Sequence, residues 1–311
     1  MKLYIMDPIH EIPLKEASII GDVVKWDDEA IKDLSFADAA IVRTAVMDKD
    51  TIDAMPNLKI IAKHGIGTDN IDLEYAKSKG IVVTNTPTAN MESVAELAVS
   101  LILACARAIP YAYDLTKSGL ERSAPKELTG IELGGKTVGL IGLGRIGQKV
   151  GSILKNGFGM TLCGFDPYMS FEKAKVLGIT LYEDISEMLR VSDVVSISVP
   201  LTPDTTNLIS RNEFSVMKSS AILVNTSRGK IVNEDALFNA LQNRIIRAAA
   251  LDVFEIEPPR IENPLFGLPN FIGTPHIGAA TEEALIRMGM TSVDEIRRYF
   301  NNANPQYVVN K

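Results

Sequence analysis

The sequence predicts an α/β protein built from two doubly wound parallel sheets, and three observations support this prediction. Short apolar runs alternate with helix-like segments through the first hundred residues. A glycine-rich stretch at residues 142–147 lies between a strand-like run and a helix-like segment. The alternation then resumes and ends in a long amphipathic segment. Alternating strands and helices are typical of parallel sheets covered on both faces, and 311 residues are enough for about two such domains.

The first sheet is predicted from four apolar runs, each followed by a polar or glycine turn, at 3–6, 39–42, 59–62 and 81–84. Helix-like segments lie between them at 28–34, 48–54 and 72–78. Asn90 is expected to cap an apolar helix from 91 to about 108. Residues 109–135 are polar and rich in turn formers, so we expect an irregular surface arm there.

The stretch 137–166 predicts a nucleotide-binding β–α–β unit. Gly142 permits a tight turn after the first strand, Gly144 lets the backbone approach a pyrophosphate, and Gly147 lets the helix pack on the strand. Asp166 lies nineteen residues past Gly147, where it can bind a ribose hydroxyl and would repel a 2′-phosphate. A glycine-rich structural turn is the alternative, and this context disfavours it. The unit therefore predicts a Rossmann domain that binds NAD.

The second sheet continues with apolar runs at 194–199, 221–225, 248–253 and 271–274. Helix-like segments accompany them at 185–191, 234–243 and 281–300. Thr281 is expected to cap the last helix, with Glu282 and Glu283 in a first turn where acids suit the helix dipole.

Polar side chains follow several strands of the second sheet, and ligands bind at this edge of doubly wound sheets. His276 is one of only three histidines and is a candidate proton donor and acceptor. Glu257 and Glu255 both follow a strand, and the spacing does not choose between them as its partner. Arg228 can bind a carboxylate in a bidentate manner. A structural histidine, a solvated acidic turn and a surface ion pair are the alternative interpretations.

The first sheet places cations and glycines in the same way. Arg43 and Lys63 each follow a strand and are expected to bind an anionic substrate group. The backbone of Gly65, Ile66 and Gly67 is a candidate nest for a carboxylate. If the carboxyl ends of the two sheets face each other, cofactor and substrate share one cleft.

Composition excludes several other classes of protein. A net charge of −7 and a pI near 5.2 argue against nucleic acid as the main partner. Cys105 and Cys163 lie singly in apolar runs, which predicts a reducing, cytoplasmic environment. We expect no secretory signal, no membrane span and no metal site, since histidines and cysteines are not paired at ligand spacing.

With these residues in view, the chain resembles the D-isomer-specific 2-hydroxyacid dehydrogenase family, and within it the phosphoglycerate dehydrogenase and hydroxypyruvate reductase branch. The segments that carry the resemblance are 63–72, 85–87, 94–96, 142–147, 199–202, 225–229, 252–258 and 274–278. The family pattern implies a catalytic set of Arg228, Glu257 and His276, and it selects Glu257 over Glu255 because the family's glutamate directly precedes the proline. The cofactor contacts that it implies, together with those of the glycine motif, are Gly142, Gly144, Arg145, Ile146, Gly147, Asp166, Val199, Pro200, Thr205, Thr226, Asp252, His276, Gly278 and Ala279.

The resemblance also implies an organisation and an activity. A discontinuous, flavodoxin-like substrate domain would comprise 1–96 with 286–311, and the Rossmann domain 97–285. The implied reaction is NAD-dependent interconversion of D-3-phosphoglycerate and 3-phosphohydroxypyruvate, in serine biosynthesis, by a homodimer formed near 91–108 and the arm. A hydroxypyruvate or glyoxylate reductase is the alternative, and a non-catalytic NAD-sensing corepressor is a more distant one.

Two departures from the family pattern concern the substrate and the arm. Lys63 stands where the phosphoglycerate branch often has arginine, and Leu120 stands where many relatives have tryptophan. Because the sequence ends at Lys311, we expect no serine feedback through a C-terminal regulatory domain.

Overall fold

The structure is a computed structural model that describes residues 1–28, 33–119 and 128–311. The chain divides into one unit of Met1–Ser93 with Ala279–Lys311 and a second unit of Val94–Gly278. The predicted return to the first domain at 286 lies inside the last helix, whereas the whole of that helix belongs to the first unit.

The first unit contains a five-stranded sheet whose neighbouring strands are all parallel, in the order β2-β1-β3-β4-β5. This is the strand order of flavodoxin-like sheets. Its strands are β1 (Lys2–Ile5), β2 (Asp22–Lys25), β3 (Ala39–Val42), β4 (Ile60–Lys63) and β5 (Val82–Thr84). Its helices are α1 (Glu11–Ile20), α2 (Lys49–Asp53), α3 (Leu73–Ser78) and α11 (Glu282–Phe300).

Apolar side chains cover both faces of this sheet. Ile41 and Ile60 pack on one face with Val293 and Ile296 of α11. The other face contributes to a separate cluster in which residues such as Ile61 join the apolar side chains of α2 and α3. Strands buried on both faces explain the continuous apolar runs in the sequence.

The second unit contains a seven-stranded parallel sheet in the order β12-β11-β10-β9-β6-β7-β8. Read from β8, this order reverses direction at β6, as in dinucleotide-binding Rossmann sheets. Its strands are β6 (Thr137–Ile141), β7 (Thr161–Phe165), β8 (Ile179–Leu181), β9 (Val194–Ile197), β10 (Ile222–Asn225), β11 (Ala248–Leu251) and β12 (Phe271–Gly273). Helix α4 (Met91–Ala106) begins in the first unit and continues into the second, whose other helices are α5 (Ile109–Lys117), α6 (Arg145–Phe158), α7 (Phe171–Leu177), α8 (Ile185–Val191), α9 (Arg211–Val216) and α10 (Glu234–Gln242).

The predicted fold class is confirmed, and several local predictions are corrected. The edge strands β2 and β8 were not predicted. Residues 109–117 of the predicted irregular arm form the helix α5. The side-chain oxygen of Asn90 is buried and has no hydrogen-bond partner among the described residues, so it does not cap α4. Leu120 and most of the predicted helix at 28–34 lie outside the described residues.

Within the described ranges, no single helix combines the length and the apolar composition of a membrane span. Helices α4 and α5 meet that composition only when taken together, across a bend of 59°. Cys105 and Cys163 are both buried thiols, and burial raises the pKa of Cys105 to about 12.

Candidate active site

The glycine motif leaves the N-terminus of α6 open. Gly142 has φ of 88°, and a Cβ there would lie 2.5 Å from the backbone oxygen of Ser198. A Cβ on Gly147 would lie 2.1 Å from the Gly142 oxygen, so both positions require glycine. Gly144 precedes the helix with no atom within 4 Å of its ideal Cβ, and within the described part of the chain no side chain caps the helix. The first N–H groups of α6 are therefore available to a pyrophosphate.

Asp166 is fixed at the end of β7 beside this loop. Its Oδ2 accepts a hydrogen bond from Leu143 N at 2.8 Å, and its Oδ1 accepts one from Tyr168 N at 2.9 Å. The carboxylate is thus oriented by the glycine loop itself, and each oxygen retains capacity to accept a ribose hydroxyl. This geometry fits the adenosine ribose of NAD.

The other predicted cofactor positions of this sheet lie at the ends of neighbouring strands. Arg145 and Ile146 begin α6, while Thr226 follows β10. Val199 follows β9, and its Cγ1 lies 2.6 Å from the ideal Cβ position of Gly142. Thr205 Oγ1 donates to the backbone oxygen of Pro200 at 2.7 Å, which orders that loop. Their contacts with NAD stay predictions.

Asp252 holds the turn that carries His276. Its Oδ1 accepts from Thr274 Oγ1 at 2.6 Å and from Ile277 N at 2.9 Å, and its Oδ2 accepts from Gly278 N at 2.8 Å. Asp252 is only 1% exposed. The sequence predicted it as a cofactor contact and missed this structural use. Ala279, the last predicted cofactor position, begins the C-terminal segment of the first unit.

His276 and Glu257 form a hydrogen-bonded pair. His276 Nδ1 lies 2.8 Å from Glu257 Oε2. Because an ionised carboxylate only accepts, Nδ1 donates and Nε2 is the ring atom left for proton exchange. The two side chains are 50% and 37% exposed, so this pair is accessible to small molecules.

Burial alone would raise the pKa of Glu257. The hydrogen bond and charge of His276, the N–H of Phe254 and the charge of Arg228 outweigh burial, so the pKa of Glu257 is lower than usual. Glu257 is therefore ionised near neutral pH and accepts the hydrogen bond from His276 Nδ1. The alternative partner, Glu255, instead accepts from Glu234 N at 2.9 Å.

Arg228 lies in the loop after β10, and Asn225 shapes that loop. The fully buried Asn225 accepts from Ser227 N at 3.0 Å and donates through Nδ2 to the backbone oxygen of Arg228 at 2.8 Å. Arg228 Nη1 donates to Ser227 O at 2.7 Å. Its charge contributes to the lowered pKa of Glu257, so Arg228 lies within electrostatic range of the Glu257–His276 pair. An Asn two residues before a Ser is an Asx-turn pattern, which is the signal that could have identified Asn225.

In the first unit, Asp7 organises the turn after β3. Its carboxylate accepts from Arg43 N at 2.6 Å, from Thr44 N at 3.1 Å and from Ala45 N at 3.0 Å. Burial raises the pKa of Asp7, but the hydrogen bonds from Thr44, Arg43 and Ala45 outweigh it and leave the pKa low. The sequence predicted Asp7 only as a polar residue in the turn after the first strand, and its bonds to the turn after β3 were not predicted.

Lys63 ties the same turn to β4. Its ammonium donates to the backbone oxygen of Arg43 and to Asn70 Oδ1, each at 2.5 Å, and Asn70 Nδ2 donates to Ala45 O at 2.5 Å. Lys63 is only 7% exposed. It has a structural use that the sequence did not reveal, and its predicted substrate contact stays a prediction.

The loop of Gly65, Ile66 and Gly67 is fixed through its carbonyl groups. Gly65 O accepts from Thr86 N at 2.9 Å, and Ile66 O accepts from Asn85 Nδ2 at 2.7 Å. Over the described part of the chain, the amides of these three residues donate to no protein acceptor. Successive backbone N–H groups without a protein acceptor are one requirement of an anion-binding nest.

No group of three or more His, Cys, Asp or Glu side chains is placed to hold a metal ion within 1–28, 33–119 and 128–311.

Comparison with known proteins identifies relatives over the whole chain. The family model described as D-isomer specific 2-hydroxyacid dehydrogenase, NAD binding domain, matches residues 99–278. The chain is 44% identical over 315 residues to a D-3-phosphoglycerate dehydrogenase of Methanocaldococcus jannaschii, covering 100% of this chain but 59% of that protein. It is 45% identical over 272 residues to a hydroxypyruvate reductase of Thermotoga maritima, covering 86% of this chain and 87% of that protein. Among solved structures, the TT0316 protein of Thermus thermophilus matches with a TM-score of 0.91 and 32% identity, over 99% of this chain and 100% of that one.

Proposed function

Because the chain belongs to the D-isomer-specific 2-hydroxyacid dehydrogenase family, with its NAD-binding domain at residues 99–278, we propose that it interconverts a D-2-hydroxy acid and its 2-oxo acid. The proposed substrate pair is D-3-phosphoglycerate and 3-phosphohydroxypyruvate. The proposal includes a cytoplasmic homodimer that works in serine biosynthesis.

The observation that carries this proposal is the His276–Glu257 pair at 2.8 Å in the electrostatic range of Arg228. Bound NAD would supply the hydride acceptor, and NADH the hydride donor, at C2 of the substrate. His276 would hold the proton at Nε2 and give it to the carbonyl oxygen during reduction. Glu257 would keep the imidazole oriented and stabilise its charged form.

Arg228 would bind the substrate carboxylate and polarise its carbonyl, since a guanidinium suits bidentate recognition of planar acids. The free amides of Gly65, Ile66 and Gly67 support a role in carboxylate binding. In reduction, the oxo group gains a hydride at carbon and a proton at oxygen, so the chain's residues need only bind, orient and transfer one proton.

The phosphorylated substrate is supported by the 44% identity to a D-3-phosphoglycerate dehydrogenase and by Arg43 on its fixed turn. This chain spans 59% of the length of that relative, so we only propose the activity of the longer protein for this chain.

A hydroxypyruvate or glyoxylate reductase is the second candidate. It is favoured by the relative from Thermotoga maritima and by the packing of Lys63, whose ammonium is bonded within the protein. Lys63 is therefore less available to a substrate phosphate than the sequence predicted. A non-catalytic NAD sensor is disfavoured because it has no use for a hydrogen-bonded His276–Glu257 pair with the charge of Arg228 in range.

The variant His276→Ala tests the proposed chemistry. Loss of a positioned acid–base group should lower kcat by about 10²- to 10⁴-fold. NADH affinity, measured by fluorescence titration, should be retained because the glycine loop and Asp166 are unchanged. His10→Asn is the control, since it removes another histidine and keeps a good helix cap. Parental kcat in His276→Ala would exclude His276 as the proton donor.

A further inference from the structure

We propose that Glu234 and Glu255 form a reciprocal clamp that positions the Arg228 loop against the Glu257 loop, and that both are positioning residues of the reaction; this inference rests on the proposed function. Glu255 was the alternative acid in the sequence, and the His276–Glu257 pair makes no use of it.

The clamp consists of two hydrogen bonds that run in opposite directions. Glu255 Oε1 accepts from Glu234 N at 2.9 Å, while Glu234 Oε1 accepts from Glu255 N at 2.6 Å. Glu234 is the first residue of α10, so its N–H is one of those that a helix cannot satisfy internally. The Glu255 carboxylate satisfies that N–H and suits the positive end of the helix dipole.

A third bond extends the clamp. Glu234 Oε2 accepts from Asn263 Nδ2 at 2.7 Å. Both oxygens of Glu234 are therefore used, and the carboxylate cannot turn away without breaking two bonds. The Asn233 side chain caps α10 separately by accepting from Ala236 N, so the helix does not depend on Glu255 alone.

Gly229 provides a second contact between the same two loops. A Cβ on Gly229 would lie 1.9 Å from the carbonyl carbon and oxygen of Phe254 and 2.6 Å from Glu255 N. The residue directly after Arg228 therefore packs on the backbone at Phe254–Glu255. Phe254 N in turn donates to Glu257 Oε1 at 3.0 Å, while the other oxygen of Glu257 holds His276.

These contacts connect the three site residues through the backbone. Arg228 is followed by Gly229 and α10, and Glu257 is preceded by Phe254 and Glu255. The loops touch at Gly229 and are tied at Glu234–Glu255, so neither can move far without the other. Because a displacement of about 1 Å can cost about 10²-fold in rate, a clamp of this kind is expected to act on kcat.

The test compares Glu255→Ala with Glu255→Gln. The alanine variant loses the acceptor for Glu234 N and should lower kcat for 2-oxo acid reduction about 10- to 100-fold, with NADH affinity unchanged. The glutamine variant keeps a side-chain oxygen that can accept the same bond, so it should recover most of the parental kcat. Glu262→Ala is the control, since Glu262 lines the same surface depression and carries the same charge.

A second readout does not depend on turnover. The ¹⁵N chemical shifts of the His276 imidazole report its Nδ1 hydrogen bond, and the chain has only three histidines to assign. Glu255→Ala should change these shifts, and Glu255→Gln and Glu262→Ala should not. If the parent protein turns over no 2-oxo acid, the proposed function fails while this readout still tests the clamp.

Parental kcat and parental His276 shifts in Glu255→Ala would overturn the clamp, as would equal losses in Glu255→Ala and Glu262→Ala. If Glu255→Ala does not fold, Glu234→Gln carries the test. Its single side-chain oxygen must serve two donors, so we expect an intermediate loss of kcat and an intermediate change of the His276 shifts.

Discussion

At the scale of single residues, His276 combines its position with an unusual backbone conformation. Its φ is 53°, in the left-handed region that costs an L residue roughly 1–2 kcal/mol. The bonds from Ile277 N and Gly278 N to Asp252 hold this conformation in place. Such conformations persist where the surroundings fix them, and they are common at functional sites. Asp252 therefore determines where the imidazole lies.

The variant Glu257→Gln tests the acid assigned to His276. Reduction of a 2-oxo acid requires a protonated His276, and the imidazolium is less stable without a carboxylate partner. As the pH rises, Glu257→Gln should therefore lose activity at a lower pH than the parent. The pH profile of kcat/KM for NADH-dependent reduction measures this. An unchanged profile in Glu257→Gln, together with a shifted one in Glu255→Gln, would show that the wrong acid was chosen.

The residues of the site were predictable in kind, but their partners were not. Histidine, arginine and acids at strand ends were visible in the sequence, since the carboxyl ends of parallel strands gather ligand-binding groups. Spacing could not choose between Glu255 and Glu257, because the choice depends on which carboxylate α10 engages. Asp7 accepts from backbone N–H groups 36 to 38 residues away, and a linear pattern does not reveal such contacts. Asn225 accepts from Ser227 N only two residues away, so its Asx-turn pattern was visible in the sequence.

At the scale of elements, the turn after β3 is held by the buried side chains of Asp7 and Lys63 and by the partly buried Asn70. Asp7 accepts from three successive backbone N–H groups, and Lys63 and Asn70 bind the carbonyls of Arg43 and Ala45. This turn presents Arg43 on a fixed backbone. Arg43 and Lys63 therefore have different expected roles, although both follow strands.

Two variants separate these roles. Arg43→Ala should lower kcat/KM for phosphohydroxypyruvate by about ten- to a hundred-fold, equivalent to roughly 1.5–3 kcal/mol for a charge-assisted hydrogen bond, and leave pyruvate unaffected. Lys63→Ala should lower the melting temperature and reduce activity with both substrates alike, because it releases the turn. If Arg43→Ala leaves the ratio of kcat/KM for phosphohydroxypyruvate to kcat/KM for pyruvate unchanged, Arg43 does not bind a substrate phosphate.

Helix α11 and β4 are linked through His64, which is 2% exposed and lies with Nε2 3.3 Å from Leu285 O. Burial, and then the charges of Arg43 and Lys63, lower the pKa of His64 to about 4. An unfolded histidine has a pKa of about 6.5. Between these values the unfolded chain binds more protons, so stability falls as pH decreases from about 6.5 to about 4.

The expected loss over this range is about 3 kcal/mol, at about 1.4 kcal/mol for each unit of pKa shift. His64→Gln keeps a donor for Leu285 O and cannot be protonated, so its melting temperature should depend less on pH between 6.5 and 4. His10→Asn should show the same dependence of melting temperature on pH as the parent. If the melting temperature of His64→Gln depends on pH as strongly as that of the parent, another group causes the loss of stability in acid.

Strand prediction missed the edge strands β2 and β8, and it succeeded at the centre of the sheets and at the other two edges, β5 and β12. Central strands such as β3 are buried on both faces and form continuous apolar runs. The edge strand β2 has the sequence Asp-Val-Val-Lys with no fully buried residue, and β8 has three residues. Their pairing is decided by the neighbouring strand, which local sequence does not encode.

At the scale of the whole molecule, each unit matches a known way of arranging a parallel sheet. The strand orders are those of a flavodoxin-like and a Rossmann sheet, and family membership agrees with both. Fold and family do not determine the substrate, because one relative is named a D-3-phosphoglycerate dehydrogenase and another a hydroxypyruvate reductase.

The proposed dehydrogenase activity is tested by the steady-state kcat/KM for NADH oxidation with phosphohydroxypyruvate, hydroxypyruvate, glyoxylate and pyruvate. We expect turnover, with phosphohydroxypyruvate the best substrate and hydroxypyruvate the second. A preference for hydroxypyruvate or glyoxylate would support the dehydrogenase activity and show that the proposed phosphorylated substrate is wrong. If protein that binds NADH oxidises none of it with any of the four acids, the proposed dehydrogenase activity is wrong and an NAD sensor is favoured.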